Sequence, residues 1–222
     1  SFIYEPLVQG TAGMQVYSPA VLDKMISMCR DKGIVVIADG VMTGFGRTGT
    51  MFACQQENVI PDFLCLAKGL TGGYLPMAAT LTTETIYNGF LGGADRAFYY
   101  GHSYTANPLG CAAALANLQV FEDENTLIGV REKSAYLSYK LSHLANENPS
   151  VKEGRRCGLV AGVELLSEEL GLGEKVCLAA RKYQLLTRPI GNTIVILPPL
   201  SITRDEIDMV ITALDQAIRE MV

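Results

Sequence analysis

The residues and patterns that the chain lacks exclude several classes of protein. It has no block of lysine and arginine residues and a formal net charge of -5, so we do not expect nucleic acid as a partner. It has two unclustered histidines, and its six cysteines form no CxxC pair, which argues against a zinc site or a disulfide framework. No apolar run approaches the length of a membrane helix, and no signal peptide is recognisable. These features predict a cytoplasmic protein with buried thiols that acts on a small acidic or neutral metabolite.

The chain also lacks an initiating methionine. It opens as SFIYEP, which already resembles a strand, so we expect a piece that begins inside a domain. Its 222 residues, 49% of them hydrophobic, are enough for one large or two small domains with a true core.

The first half of the chain has the pattern of an α/β fold. We predict strands at residues 2–4, 34–38, 63–67 and 80–83, and a helix that begins after Ser18 and ends at Asp31. Residues 34–38 are rich in β-branched side chains and have no polar face, which is typical of a parallel strand covered on both sides. The functional groups of such a sheet are expected at the carboxyl ends of its strands.

Two ionisable residues lie at those strand ends, Asp39 after the strand at 34–38 and Lys68 after the strand at 63–67. Apolar neighbours predict that Lys68 is partly desolvated, which would leave its amine available as a nucleophile. Pyridoxal phosphate (PLP) needs such a pair, an aspartate against its ring nitrogen and a lysine at its aldehyde. The alternatives are a lysine that extends into water and an aspartate that caps the following turn.

Several longer motifs carry a family resemblance. Residues 37–49 (IADGVMTGFGRTG) and 68–73 (KGLTGG) resemble the class III aminotransferases of fold type I. Residues 101–112 (GHSYTANPLGCA) and 187–191 (TRPIG) are similar to the 8-amino-7-oxononanoate aminotransferases of biotin synthesis, which make 7,8-diaminononanoate. The similarity covers essentially the whole chain, but only the second half of the longer family members.

The resemblance implies a role for each matching residue. Lys68 would bind the cofactor and move a proton during the reaction, and Asp39 would lie under the pyridine nitrogen. Ser103 replaces a threonine that reaches the cofactor phosphate of the neighbouring subunit, and Gly101 would contact the substrate through its backbone. Arg188 would bind the carboxylate of the keto substrate, for which a planar, permanently charged guanidinium is well suited.

The same resemblance implies the architecture and the partners. It predicts an α/β fold of PLP-dependent fold type I, with the second part of the large domain at residues 1–122, containing a mostly parallel sheet, and a small α+β domain at residues 123–222. A homodimer would share its active sites and bind two small molecules, the keto acid and an amino donor. The donor would be S-adenosylmethionine, with lysine or a broader ω-amino acid specificity as alternatives. The phosphate loop and the aromatic residue that stacks on the cofactor belong to the family's first half, so this chain alone would be incomplete.

Two features leave other interpretations open. Gly40 stands where relatives commonly carry a glutamate that would brace the turn, which puts the local rigidity in doubt. Residues 44–49 match GxGxxG, a dinucleotide-binding pattern, but the first glycine comes too long after the strand for that fingerprint. A truncated chain that only packs or dimerises is a third possibility.

The last hundred residues predict the small domain. We expect helices at 127–145 and 174–183, strands at 159–165 and 193–197, and a domain border within 121–126. Asn107 should cap a helix that starts at Pro108, and Thr203 with Glu206 should form a capping box. His143 is expected at the surface.

Overall fold

The computed structural model describes residues 1–56 and 60–222. Their backbone contacts divide the chain into two compact units. Unit 1 consists of Ser1–Leu7, Ser18–Phe45 and Thr50–Asn125, and unit 2 of Val8–Tyr17, Gly46–Gly49 and Thr126–Val222.

The described residues form strands and helices in a mixed order that is typical of an α/β protein. The strands are β1 (Phe2–Tyr4), β2 (Val8–Gln9), β3 (Gln15–Val16), β4 (Val36–Asp39), β5 (Phe63–Leu66), β6 (Ala79–Thr82), β7 (Val151–Cys157), β8 (Val160–Leu165), β9 (Pro189–Ile190) and β10 (Thr193–Ile196). The helices are α1 (Pro19–Asp31), α2 (Glu84–Gly89), α3 (Pro108–Asp123), α4 (Thr126–Glu147), α5 (Leu172–Ala180) and α6 (Arg204–Met221). Within the described ranges, no helix is both long enough and apolar enough to cross a membrane.

Unit 1 contains a four-stranded sheet in the order β1-β4-β5-β6. Strands β1 and β5 run parallel to β4, whereas β6 is antiparallel to β5. The mostly parallel sheet is therefore confirmed. Its central strand buries Val36 and Ala38, as expected for β-branched and small residues in a covered strand.

The N-terminal caps of two helices in unit 1 differ. Asn107 caps α3, since its Oδ1 accepts a hydrogen bond of 2.8 Å from the Gly110 amide. The sequence also favours Ser18 as the cap of α1, but its side chain makes no capping hydrogen bond, so that expectation was wrong. Proline at the first helical position already fixes the backbone there, and α1 forms without the serine bond.

Unit 2 contains the antiparallel sheet β7-β8-β10-β9 and the small hairpin β2-β3. One core of buried apolar residues lies between this sheet and the helices α4, α5 and α6. The predicted helices and the strands β8 and β10 are confirmed with small shifts at their ends. His143 is exposed, as predicted. The capping box is present at α6, where Thr203 Oγ1 accepts from the Glu206 amide and Glu206 Oε2 accepts from the Thr203 amide.

Candidate active site

The candidate site begins with two neighbouring strands of unit 1. Strands β4 and β5 are parallel, and Asp39, the last residue of β4, pairs in register with Cys65. Lys68 follows Cys65 by three residues, and only Ala67 separates it from the end of β5. The structure therefore brings Asp39 and Lys68 to the same edge of the sheet, as the parallel arrangement requires.

The Asp39 carboxylate is half-buried and has one described partner. Its Oδ1 accepts a hydrogen bond of 3.1 Å from the Val41 amide, which holds the side chain in the turn that follows the strand. Within residues 1–56 and 60–222, no hydrogen bond is made to Oδ2. The aspartate thus caps the turn with one oxygen and keeps the other available for a donor on a ligand.

Gly40 fits the close packing beside this carboxylate. A Cβ at position 40 would lie 3.1 Å from the Cys65 carbonyl oxygen and 3.2 and 3.3 Å from the side chains of Leu64 and Leu66. A larger residue would require strand β5 to shift slightly, because real Cβ contacts are rarely so short. Glycine at this position is compatible with the packing of the two strands.

Lys68 is exposed, so the expectation that it is partly desolvated was wrong for the chain described here. The apolar residues before it are in β5, whereas Lys68 itself begins a single-turn 3₁₀ helix over Lys68–Thr71 that leaves the sheet. Its φ of 37° lies in the left-handed region, which non-glycine residues rarely adopt. Such backbone strain persists only where the surrounding structure fixes it, and it is common at functional sites.

The loop that precedes α3 carries the two residues predicted to contact substrate and phosphate. Gly101 and Ser103 are both exposed. Around them the loop is closed by hydrogen bonds of His102, whose amide donates to Thr105 Oγ1 at 3.0 Å and whose Nδ1 accepts from the Tyr104 amide at 3.1 Å. These bonds leave the Ser103 hydroxyl accessible, immediately before the amino-terminal end of α3.

Arg188 belongs to unit 2 and lies at the rim of an apolar cavity of about 650 Å³. Its carbonyl oxygen accepts a hydrogen bond of 3.1 Å from the Val195 amide, and the following Pro189 pairs with Ile194 in the sheet. The backbone of this arginine is therefore fixed. Its side chain is exposed and forms no ion pair with any residue the structure describes.

The GxGxxG segment does not have the geometry of a dinucleotide-binding loop. Residues 44–49 form consecutive turns, and the next described element is a single 3₁₀ turn, Ala53–Gln56, rather than an α-helix. Within unit 2, the Arg47 guanidinium donates to the carbonyl oxygens of Leu159 at 3.0 Å and Pro198 at 2.6 Å. Burial lowers the pKa of Arg47 to about 10, and its contacts are structural. The dinucleotide interpretation fails because, in the part of the chain that the structure describes, no α-helix begins at this loop to bind the pyrophosphate.

One residue near Lys68 was not predicted from the sequence. Asn117 on α3 donates through Nδ2 to the carbonyl oxygens of Gly69 at 2.8 Å and Leu70 at 3.2 Å. No motif marks it, since it lies 48 residues from Gly69 in an alanine-rich helix. Its position becomes evident only when α3 packs against the Lys68 turn.

The chain is similar in sequence to known aminotransferases. The adenosylmethionine-8-amino-7-oxononanoate aminotransferase of Nitratidesulfovibrio vulgaris is 48% identical over 227 residues, which cover 97% of this chain and 42% of the relative. The enzyme of the same name from Aquifex aeolicus is 44% identical, with 99% of this chain and 51% of the relative covered. The chain spans about half the length of the curated relatives it matches.

Solved structures of related enzymes share the fold of this chain. The adenosylmethionine-8-amino-7-oxononanoate aminotransferase of Methanocaldococcus jannaschii superposes with a TM-score of 0.94 at 42% identity, over 98% of this chain and 53% of that one. An amine transaminase from an uncultivated Pseudomonas species, solved in its PLP-bound form, gives a TM-score of 0.93 at 36% identity, over 99% of this chain and 52% of that one. The fold is thus the α/β fold of the PLP-dependent fold type I enzymes, present here in part. The family model described as "Aminotransferase class-III" matches residues 1–218, and the chain belongs to the class III aminotransferases.

Proposed function

We propose that this chain is the lysine-bearing part of a PLP-dependent aminotransferase that converts 8-amino-7-oxononanoate to 7,8-diaminononanoate in biotin synthesis. The observation that supports it most directly is the placement of Asp39 at the end of β4 and of Lys68 just beyond the end of the adjacent parallel strand β5. The relatives described above are named for this substrate and for S-adenosylmethionine, which is our proposed amino donor.

The residues present fit pyridoxal phosphate. The amine of Lys68 is accessible at the sheet edge, and Oδ2 of Asp39 has no hydrogen-bond partner among the described residues. A carboxylate that is half-buried and held by one amide is suited to accept a hydrogen bond from a protonated ring nitrogen. Lys68 would hold the aldehyde end of the cofactor and Asp39 its ring nitrogen.

When bound, pyridoxal phosphate supplies an electron-poor ring that accepts the electron pair left when the substrate carbon loses a proton. Asp39 would keep the ring nitrogen protonated, because a carboxylate stabilises the positive charge next to it. Lys68 would then act as general base and general acid, and carry a proton between the substrate carbon and the cofactor carbon. Its exposed amine on a short turn has the freedom that this transfer requires.

The remaining predicted residues would bind and orient. Arg188 would hold the carboxylate of the keto substrate through paired N–H donors, and its fixed backbone supports this role. The Ser103 hydroxyl would donate a hydrogen bond to the cofactor phosphate of the second subunit in a homodimer with shared active sites. Gly101 would contact the substrate through its backbone. Residues 1–122 would form the second part of the cofactor-binding domain and residues 123–222 the small domain. No disulfide joins any of the six cysteines, all of which lie in the described part of the chain, and this supports a reducing, cytoplasmic location.

A second candidate is a broader ω-amino acid aminotransferase. Solved relatives titled as amine and omega transaminases match the fold with TM-scores of 0.93 at 36% and 32% identity. Lysine as amino donor is a further variant of the first proposal, and a chain that only packs or dimerises is the alternative without chemistry. Arg188→Ala distinguishes the two candidate activities. Selective loss of the nonanoate reaction in this variant favours our proposal. A variant that aminates unrelated ketones as readily as the nonanoate contradicts it.

The first experiment is a titration of the chain with pyridoxal phosphate, followed by its visible absorption. We expect a new band that requires Lys68 and is lost in Lys68→Ala. Lys24→Ala removes another exposed lysine of unit 1 and should leave the band unchanged. A folded chain that shows no band even after the first half of a relative is added, or an equal band in Lys68→Ala, would contradict the proposal.

A further inference from the structure

The Lys68 turn is short and strained, so its geometry requires support from outside. A single 3₁₀ turn of four residues has poor hydrogen-bond geometry and little stability alone. Lys68 adds a positive φ of 37°, and Gly72, with φ of 62°, ends the turn. Two elements of unit 1 pack against this turn from outside its own sequence, the residue Phe45 and the helix α3.

Phe45 contacts the turn at Gly69. A Cβ at position 69 would lie 2.8 Å from the Phe45 Cβ and 3.1 Å from its ring, so glycine is needed for this approach. The Phe45 side chain is buried and also meets Phe52 edge to face, with 5.7 Å between the ring centroids. This contact is apolar, and it restrains the position of the turn without directing its carbonyl groups.

Asn117 supplies the directed contact. Its Nδ2 donates to two successive carbonyl oxygens, those of Gly69 and Leu70, which are the first two residues after Lys68. The Gly69 oxygen also accepts a hydrogen bond of 3.2 Å from the Gly72 amide. The Asn117 side chain therefore donates to the same carbonyl oxygen that closes the turn. A Cβ at position 72 would lie 3.0 Å from Asn117 Oδ1, which shows how closely the amide group lies against the turn.

We propose that Asn117 is a positioning residue for Lys68: by holding the Gly69 and Leu70 carbonyls, it fixes the strained backbone from which the reactive amine extends. The inference rests on the proposed function for the role of the amine, but the contact with the turn stands on the structure. An orienting group close to a nucleophile raises its reactivity because the reacting atoms are already in place. Asn117 touches neither cofactor nor substrate in this proposal.

The test compares three variants of the chain. Asn117→Ala removes both hydrogen bonds, and Asn117→Asp keeps the size of the side chain while a carboxylate cannot donate to a carbonyl. Gln119→Ala is the matched control on the same helix, since the Gln119 amide bonds to the exposed Asp123 and not to the turn. Thermal unfolding of each variant reports whether the fold is retained.

The first readout needs no cofactor. Hydrogen exchange of the amides in residues 69–75 should be about tenfold faster in both Asn117 variants than in Gln119→Ala. The two lost hydrogen bonds together contribute roughly 1 to 2 kcal/mol, and about 1.4 kcal/mol corresponds to a tenfold change. A small anhydride acylates the Lys68 amine, and mass spectrometry measures the rate. This rate and its dependence on pH should both change in the Asn117 variants. Exchange and acylation equal to those of Gln119→Ala would overturn the proposal.

The second readout uses pyridoxal phosphate and borohydride, which fixes the cofactor on its lysine so that the modified peptide can be identified. We expect labelling of Lys68 in the unaltered chain and labelling about tenfold slower in the Asn117 variants, on the same estimate of roughly 1 kcal/mol per hydrogen bond. No labelling of Lys68 in the unaltered chain would contradict the proposed function, and the exchange data would still decide the role of Asn117. Equal labelling in all folded variants would contradict the positioning role alone.

Discussion

The two units differ in how they cover their apolar residues. In unit 2, helices α4, α5 and α6 and one face of the sheet enclose a single continuous core. Unit 1 has a smaller set of buried side chains, and large aromatic residues such as Tyr74, Phe98, Tyr99 and Tyr104 are more than 70% exposed. Asp39 and Lys68 are both in unit 1. The two residues proposed to hold the cofactor therefore lie in the unit that buries fewer of its apolar side chains, where local opening is expected to cost less free energy.

Paired glycines give the largest expected effect in a test of this comparison. Gly158 in unit 2 and Gly33 in unit 1 have nearly equal φ values of 63° and 64°. A Cβ at position 158 would lie 2.2 Å from the Arg47 carbonyl oxygen, whereas one at position 33 would meet nothing within 4 Å. Gly158→Ala should lower the free energy of unfolding by about 3 kcal/mol or more, from backbone strain and overpacking together. Gly33→Ala should cost about 1 kcal/mol, from strain alone.

Urea unfolding followed by circular dichroism measures both values. Equal losses in the two variants would show that unit 2 is able to shift around position 158, which would contradict the tight packing described for it.

A fall in pH should destabilise each unit through one carboxylate that is hydrogen-bonded to a basic side chain. Burial raises the pKa of Asp62 in unit 1, but hydrogen bonds from Arg30 at 2.6 Å and the Val36 amide at 2.7 Å outweigh it, so the pKa lies below its ordinary 3.8. In unit 2, hydrogen bonds from Lys152 and then Arg155 hold the pKa of Glu164 below its ordinary 4.5. Their stabilisation is fully present above these ordinary values and is lost as the pH falls through the lower folded-state values.

We therefore expect Asp62→Asn and Glu164→Gln to flatten the decline in unfolding free energy between about pH 5 and pH 2. Glu122→Gln, at an exposed position in the last turn of α3, is the control for removal of one charge. A decline as steep as in the unaltered chain would show that the pair in that unit is not held in solution.

The smallest effect is expected from two helix caps. Thr203→Ala in unit 2 removes one half of a capping box and should cost about 1 kcal/mol. Ser18→Ala in unit 1 removes a side chain that makes no capping bond, so the cost should be within about 0.3 kcal/mol of zero. Denaturant midpoints measure both, and a cost for Ser18→Ala as large as that for Thr203→Ala would mean that the serine caps α1 in solution.

The sequence predicted the elements whose signals are local. The apolar strand before Lys68, the cap at Asn107 and the capping box at Thr203 each depend on a few adjacent residues. Strand β7 was missed because charged residues interrupt it, among them Lys152, Glu153 and Arg155, and such a pattern resembles a solvated loop. Helix α2 was missed because it is a short polar segment.

The site was predictable in part for the same reason. The strand ends place Asp39 and Lys68 together, which follows from parallel pairing alone. The exposure of Lys68 could not be predicted, because adjacent apolar residues do not reveal which tertiary neighbours cover a side chain. Asn117 was missed because its partners are 47 and 48 residues away, and no sequence pattern encodes that contact.

Unit 2 is assembled from three separated segments of the chain, and this has a consequence for synthesis on the ribosome. Residues Val8–Tyr17 emerge first, but Arg155, which donates to the carbonyl oxygens of Gly13 and Met14, follows more than 140 residues later. Arg47 likewise donates a hydrogen bond to the carbonyl oxygen of Pro198, which is synthesised 151 residues later. Contacts of such long sequence separation form slowly. Early segments of unit 2 must therefore remain without these partners until Arg155 and Pro198 have been synthesised.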